Sequence, residues 1–324
     1  MHKVLFFLLL FSQICSSQIT VKDSVTQYPV SYATISFGNG NGIFADDEGV
    51  FYFTKKIYPD IDSLFISALG FKDLNISTEN LPKTLLMMPQ ADELDEVVVG
   101  IKRNRKFKEE EIEPHLDDDY YNCWLPTIES EIAVYFPKQV SKDQKLTTVS
   151  FPIALESKDW EKRNRRNSDK KPFSTLFKVK FYGNKNGKPG KVLTYKTIVF
   201  RATEKDGDAY KLNVEDYDIY IPPNGFFVSL QVLGYTNKAG KLLPNKKYKE
   251  IKSKNGVVKI PTNFRPLLPF TDEVESKNTF IKRVFIHEND WLKFDKGNGF
   301  RSSLLDKDLF NYGIGIEFKT YKDD

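Results

Sequence analysis

Carboxylates two residues apart, Asp216 with Asp218 and Glu288 with Asp290, are the first residues in this chain that could do chemistry. Two such groups on one strand face can divide acid and base roles, as glycoside hydrolysis requires. An acidic turn explains either pair equally well, and with 44 Asp and Glu residues such pairs arise by chance. Zinc hydrolysis needs three protein ligands around an open position. Past the first residues the chain has His115 and His287 and no H-x-x-E arrangement. His287 and Glu288 are adjacent and would project to opposite faces of a strand. Cys123, within Tyr121-Asn122-Cys123-Trp124-Leu125, reads as a small buried apolar residue, because the nearby His115 sits in an acidic stretch. Asp46-Asp47-Glu48 is too short for a calcium loop and reads as a turn closed by Gly49. The nucleophile elbow, the P-loop and the dinucleotide turn are absent, and Gly38-Asn39-Gly40-Asn41-Gly42 has no helix pattern after it. No catalytic residue, no metal and no cofactor is expected.

Two basic stretches remain. Residues 158–171 carry Trp160 beside Arg163, Arg165 and Arg166, and residues 238–254 are rich in lysine. The bland reading is solvated loops. The sharper one is an acidic glycan or lipid head group met by the arginines, with Trp160 or Trp291 stacked on a sugar ring. Burial in a core is the competing reading for either Trp.

Composition sets the class. The 324 residues include 26 Phe and 16 Tyr, are 40% hydrophobic and 28% charged, and carry a net charge of +4. That excludes a disordered chain, a coiled coil and a polytopic membrane protein, and it leans towards β-sheet. The charge is too near neutral to argue for nucleic acid. Met1-His2-Lys3, the apolar run 4–11 and the small residues Cys15 and Ser17 read as a signal peptide over 1–17, cut before Gln18. Ile14 before Cys15 argues against lipidation. No later stretch has the length of a membrane-spanning helix. The expected product is exported, to the periplasm or the outer-membrane surface.

Residues 18–100 alternate short apolar runs (31–37, 43–45, 50–54, 64–68, 71–76, 85–88 and 97–99) with Gly, Asn and Asp, the pattern of a small antiparallel sandwich able to fold alone. Residues 101–127 hold a basic block, then Glu109, Glu110, Glu111 and Glu113, then Asp117-Asp118-Asp119. Like charges in blocks resist packing, so this reads as a charged linker. Residues 128–324 show period-two runs at 131–136, 147–155, 176–182, 192–200, 217–221, 225–235, 280–287 and 313–318. In 176–182 the alternation places Phe177, Val179 and Phe181 on one face. The fold class predicted is all-β: a small sandwich followed by a larger jelly-roll-like sandwich.

Three ordered blocks carry a resemblance. Pro29-Val30-Ser31-Tyr32-Ala33-Thr34-Ile35, Asp46-Asp47-Glu48-Gly49-Val50-Phe51 and Leu64-Phe65-Ile66-Ser67-Ala68-Leu69-Gly70-Phe71-Lys72 resemble the carboxypeptidase-regulatory-like domain. That is a transthyretin-like β-sandwich at the front of exported Bacteroidetes proteins. Asp92-Glu93-Leu94-Asp95-Glu96-Val97-Val98-Val99-Gly100 is similar to the segment that follows this domain in SusC-like TonB-dependent receptors, where it meets TonB. The resemblance implies a partner strand at Asp95, Glu96, Val97, Val98 and Val99. The remaining chain is too short for plug and barrel, so a transporter is excluded. In the second module, Phe181-Tyr182, Asn186-Gly187-Lys188-Pro189-Gly190, Ile219-Tyr220-Ile221-Pro222-Pro223-Asn224-Gly225 and Phe226-Phe227-Val228-Ser229-Leu230 resemble carbohydrate-binding or galactose-binding-like jelly rolls.

The expectation is a non-catalytic binding protein of the cell envelope that recognises a glycan, an envelope polymer or a protein partner. The alternatives are an adaptor of a TonB-linked uptake system acting through residues 95–99 and, last, a glycan-active hydrolase.

Overall fold

Most of the period-two runs become strands at least in part, and helix is nearly absent among the described residues. The computed structural model describes residues 18–90, 105–117, 119–155, 173–245, 248–253, 256–260, 262–287 and 290–322. The N-terminal unit holds β1 (Gln18–Asp23), β2 (Thr34–Gly38), β3 (Asn41–Phe44), β4 (Val50–Tyr52), β5 (Ser63–Ser67), β6 (Leu74–Ser77) and β7 (Thr84–Met87). They form two sheets, β4-β1-β7 and β3-β2-β5-β6. Val21, Ile35, Leu64 and Ile66 between them are fully buried. One pairing departs from the antiparallel expectation, since β1 and β7 run parallel with Val21 opposite Leu85. A parallel pair needs a long crossover, and here the whole second sheet supplies it. Gly49 closes the β3–β4 turn at φ 70°, where a side chain would be strained. Asp46 Oδ1 accepts from the backbone N–H of Glu48 (3.0 Å) and Val50 (2.8 Å) in the same turn.

The C-terminal unit begins earlier than its apolar pattern implies. It comprises β8 (Phe107–Ile112), β9 (Cys123–Trp124), β10 (Ser130–Phe136), β11 (Gln144–Pro152), β12 (Ser174–Lys185), β13 (Lys188–Val192), β14 (Ile198–Thr203), β15 (Ala209–Asn213) and β16 (Phe226–Tyr235). After them come β17 (Lys249–Ser253), β18 (Gly256–Ile260), β19 (Leu268–Thr271), β20 (Thr279–Arg283), β21 (Leu292–Lys293), the one-turn helix α1 (Ser303–Asp306), β22 (Asn311–Tyr312) and β23 (Gly315–Tyr321). A seven-stranded sheet, β13-β12-β16-β10-β20-β21 with β14 on β12, faces a four-stranded sheet, β15-β11-β23-β8. Between them lies one core, with Phe177, Val179 and Phe181 on one side and Leu146, Val149 and Phe318 on the other. The face assignment of Phe177, Val179 and Phe181 therefore holds. β12 and β13 meet in a two-residue hairpin with Asn186 and Gly187 both at positive φ, the turn that matches strand twist. No helix among the described residues is long and apolar enough to cross a membrane.

Two expectations need correction. The charged stretch read as a linker contains β8, which pairs with β23 over six residues, and β9, which pairs with β19. Only Ile112 at the end of β8 packs on the core, so an apolar pattern had little to register. Residues 217–221 form no strand; Glu215–Tyr217 is a 3-10 turn followed by left-handed Asp218. The small sandwich also contributes to the large core. Phe44 of β3 belongs to the large core and lies 5.2 Å, ring to ring, from Phe285.

Candidate functional site

Only two strands of the four-stranded sheet, β11 and β23, could be foreseen in part, yet its outer face holds an open polar groove. A groove of about 440 Å³ runs over β8, β11, β15 and β23, lined by Glu109, Glu111, Thr148, Asn213, Glu317 and Lys319, with Glu215 at its end. Strand alternation explains the lining. Ile316, Phe318 and Ile112 turn inward to the core, so Glu317, Lys319, Glu109 and Glu111 turn outward.

Register then sets the charges. Glu111 stands directly opposite Glu317, and Lys319 opposite Glu109. Like charges directly opposed across an antiparallel pair are destabilising. The Glu111 carboxyl is raised above its ordinary value, first by the charge of Glu113 and its hydrogen bond, then by desolvation, with Glu317 adding a smaller part. Lys211 Nζ partly compensates at 3.2 Å from Glu317 Oε1, and Lys319 Nζ lies 2.5 Å from Glu215 Oε1. At one end Lys319 sits 4.6 Å over the Phe107 ring, and Phe107 meets Tyr321 edge-on at 6.1 Å. Chemically this is an open array of acceptors and donors with an aromatic edge, suited to hydroxyl-rich or cationic groups and hostile to anions.

A second polar cluster is sealed. Glu131, on the opposite face of the seven-stranded sheet, accepts from Ser229 Oγ (2.7 Å), Tyr182 Oη (2.8 Å) and Lys180 Nζ (3.1 Å). Burial works to raise its carboxyl, but the Lys180 charge and these hydrogen bonds outweigh it and hold it below the ordinary range. Lys178 beside it is buried and is pushed down to about 7, by desolvation first and then by the charge of Lys180. Its ammonium reaches the Tyr32 carbonyl of the small sandwich at 3.2 Å. Ser229 is wholly buried, so this cluster fastens strands and offers no entry for a substrate.

The residues singled out in the sequence fall in different places. Trp160, Arg163, Arg165 and Arg166 lie outside the described residues, as do Asp95, Glu96, Val97, Val98 and Val99. Trp291 is a correction: it is 5% exposed, packed edge-on against Tyr182 at 5.6 Å, and is a core residue and not a sugar platform. Asp218 does not share a strand face with Asp216 but holds Lys145 at 2.6 Å. Asp290 binds Lys188 at 2.6 Å, and Glu288 is outside the described residues. Cys123 is buried with its Sγ on the Asp119 carbonyl (3.2 Å), while His115 Nδ1 faces Glu273 at 2.8 Å. Among the described residues no group of three or more His, Cys, Asp or Glu is placed to hold a metal ion. The groove itself was missed because Glu109 and Glu111 looked like part of a repelling charge block. The one signal available was Phe107 and Ile112 flanking it.

No protein-family model and no curated protein matches the chain. Among solved structures it is similar to a clostridial cysteine protease, Cwp84, after propeptide cleavage, at 9% identity and TM-score 0.33, covering 94% of this chain and 70% of that one. It is also similar to the cysteine protease and lectin-like domains of Cwp84, a surface-layer-associated protein of Clostridium difficile, at 12% identity and TM-score 0.29, covering 91% and 60%. Scores this low carry no argument about fold or function.

Proposed function

We propose that this chain is a non-catalytic binding protein of the cell envelope, and that the groove on the four-stranded sheet takes a hydroxyl-rich or amino-substituted polymer. The observation that carries the reading is the pair Glu111 and Glu317, held face to face in an open furrow against the interest of stability. Local conflicts of this kind concentrate at functional surfaces. The leader-like start and the resemblance to the carboxypeptidase-regulatory-like domain support an envelope address. The acidic lining favours neutral or amino sugars over the acidic glycans that the arginines of 163–166 would prefer.

The test is an array of neutral, amino-substituted and acidic oligosaccharides, with an envelope-extract pull-down, using the whole chain from Gln18. Saturable binding to a neutral or amino-substituted glycan, weakened at least tenfold in the Glu111→Gln, Glu317→Gln double variant, supports the reading. Binding that is unchanged in that variant overturns it. Deleting residues 92–100 separates the TonB-linked adaptor: capture of an outer-membrane protein lost on deletion, with glycan binding absent throughout, would favour the adaptor.

A further inference from the structure

Glu129, just before β10, is 3% exposed, and neither of its carboxylate oxygens makes a well-formed hydrogen bond among the described residues, although the Tyr248 hydroxyl lies close enough to interact with it. It lines a cavity of about 100 Å³ together with Ile128, Tyr235, Leu243, Tyr248 and Phe264. The nearby Tyr248 hydroxyl directs its proton elsewhere. It donates to the Gly42 carbonyl at 3.0 Å and accepts from the Gly42 N–H at 2.9 Å, tying the two sandwiches together. That hydroxyl is pushed well above its ordinary range, by burial first and then by the charge of Glu129. The Tyr235 and Phe264 rings, both in the lining, lie 4.7 Å apart and are tilted by 49°. Leu243 and Thr262 are exposed and leave the cavity open to solvent.

A carboxylate this deep is unfavourable as an anion unless it takes up a proton or a cation meets it, and the open cavity beside it has room for a cation. A calcium or magnesium ion would demand six or more oxygen ligands, and these walls are mostly apolar. An anion is repelled. What fits one carboxylate among aromatic faces is an ammonium group on a short apolar stem, which rings attract through their quadrupoles. The volume has room for a head of a few heavy atoms. We propose that this cavity binds the head of a compact alkylammonium cation, with Glu129 as counter-ion and Tyr235, Tyr248 and Phe264 as its walls. The proposal does not rest on the groove, which lies on the other sheet.

Titration calorimetry of the chain from Gln18 with propylammonium chloride tests it, with 1-propanol and sodium chloride as controls. One saturable site is expected for propylammonium and none for either control. Glu129→Gln should weaken it at least tenfold while the unfolding temperature and circular dichroism stay native-like. Leu243→Trp, which fills the cavity and leaves the charge alone, should do the same. No saturation at millimolar propylammonium, equal binding of 1-propanol, or unchanged affinity in Glu129→Gln each overturns the proposal. A parallel arm with acetyl-lysine amide assigns the source: tighter binding than propylammonium supports a lysine side chain as the head, and weaker binding supports a free amine.

Discussion

The hydroxyl of Ser36 donates to the main-chain carbonyl of Phe285 at 2.6 Å, a buried bond between residues 249 positions apart. It sits beside the Phe44–Phe285 ring contact, so the two sandwiches share a desolvated seam and not a tether. Around it Lys259 pairs with Asp60 and Lys241 with Glu48, exposed bridges that add little by themselves. The apolar and backbone contacts must carry the coupling. Calorimetry should therefore show one cooperative transition for both sandwiches.

Gly42 gives the sharpest probe of that seam. A Cβ there would run into the Phe285 ring and the Ile35 carbonyl. Overpacking of this kind costs about 1–3 kcal/mol. Gly42→Ala should lower the unfolding temperature by several degrees and split the single transition into two. A variant that melts in one step at the wild-type temperature would show that the seam does not hold the units together.

Lys178 predicts a pH dependence. Its folded value is about 7, because burial and then the Lys180 charge disfavour the ammonium, while the unfolded lysine titrates near ~10.4. Between those values the unfolded chain binds more protons, so stability from this group rises with pH, by at most about 1.4 kcal/mol per unit. Below about 7 both states are protonated and the contribution is flat. Denaturant titrations at pH 6.5 and 9 should show the rise, and Lys178→Met should abolish it and be the more stable protein at pH 7.

The legible parts of this chain are those where burial and alternation coincide. Phe177, Val179 and Phe181 announced β12, and the Asn186-Gly187 pair announced its hairpin. β8 was illegible because it is an edge strand in which even Ile112 is only partly buried, and every residue between Phe107 and Ile112 is charged to suit a solvated edge. The hairpin β17–β18 was hidden for a similar reason: Ile251, Val257, Val258 and Ile260 are all exposed, and lysines break the run. The groove follows from β8 pairing with β23, a contact between residues about two hundred positions apart that no local pattern encodes. Trp291 misled in the opposite sense, since an aromatic beside charged residues looks like a platform until its burial is known.

Trp291 and Glu111 should respond oppositely to substitution. Trp291 packs with Ala133, Tyr182, Phe227 and Phe280, and removing a large buried aromatic costs about 3–5 kcal/mol. Trp291→Ala should lose stability, with glycan binding per folded molecule intact. Glu111→Gln removes a like-charge contact and should raise the unfolding temperature while weakening binding. Melting curves beside binding isotherms test both, and a stable Trp291→Ala that fails to bind would return Trp291 to the site.

Asp46 separates a turn from a calcium loop. Its Oδ1 already accepts two backbone N–H groups, and Lys241 Nζ stands 3.6 Å from its other oxygen. The two amides satisfy one oxygen and the Lys241 ammonium offsets the charge, so a metal would have to displace all three donors. Asp46→Ala leaves the Glu48 and Val50 amides without their acceptor and should cost about 2 kcal/mol, whereas Asp46→Asn keeps an acceptor oxygen and should cost less. Calcium or a chelator should leave the unfolding temperature of the wild type unchanged. A rise of several degrees on adding calcium, lost in Asp46→Asn, would replace the turn by a metal site.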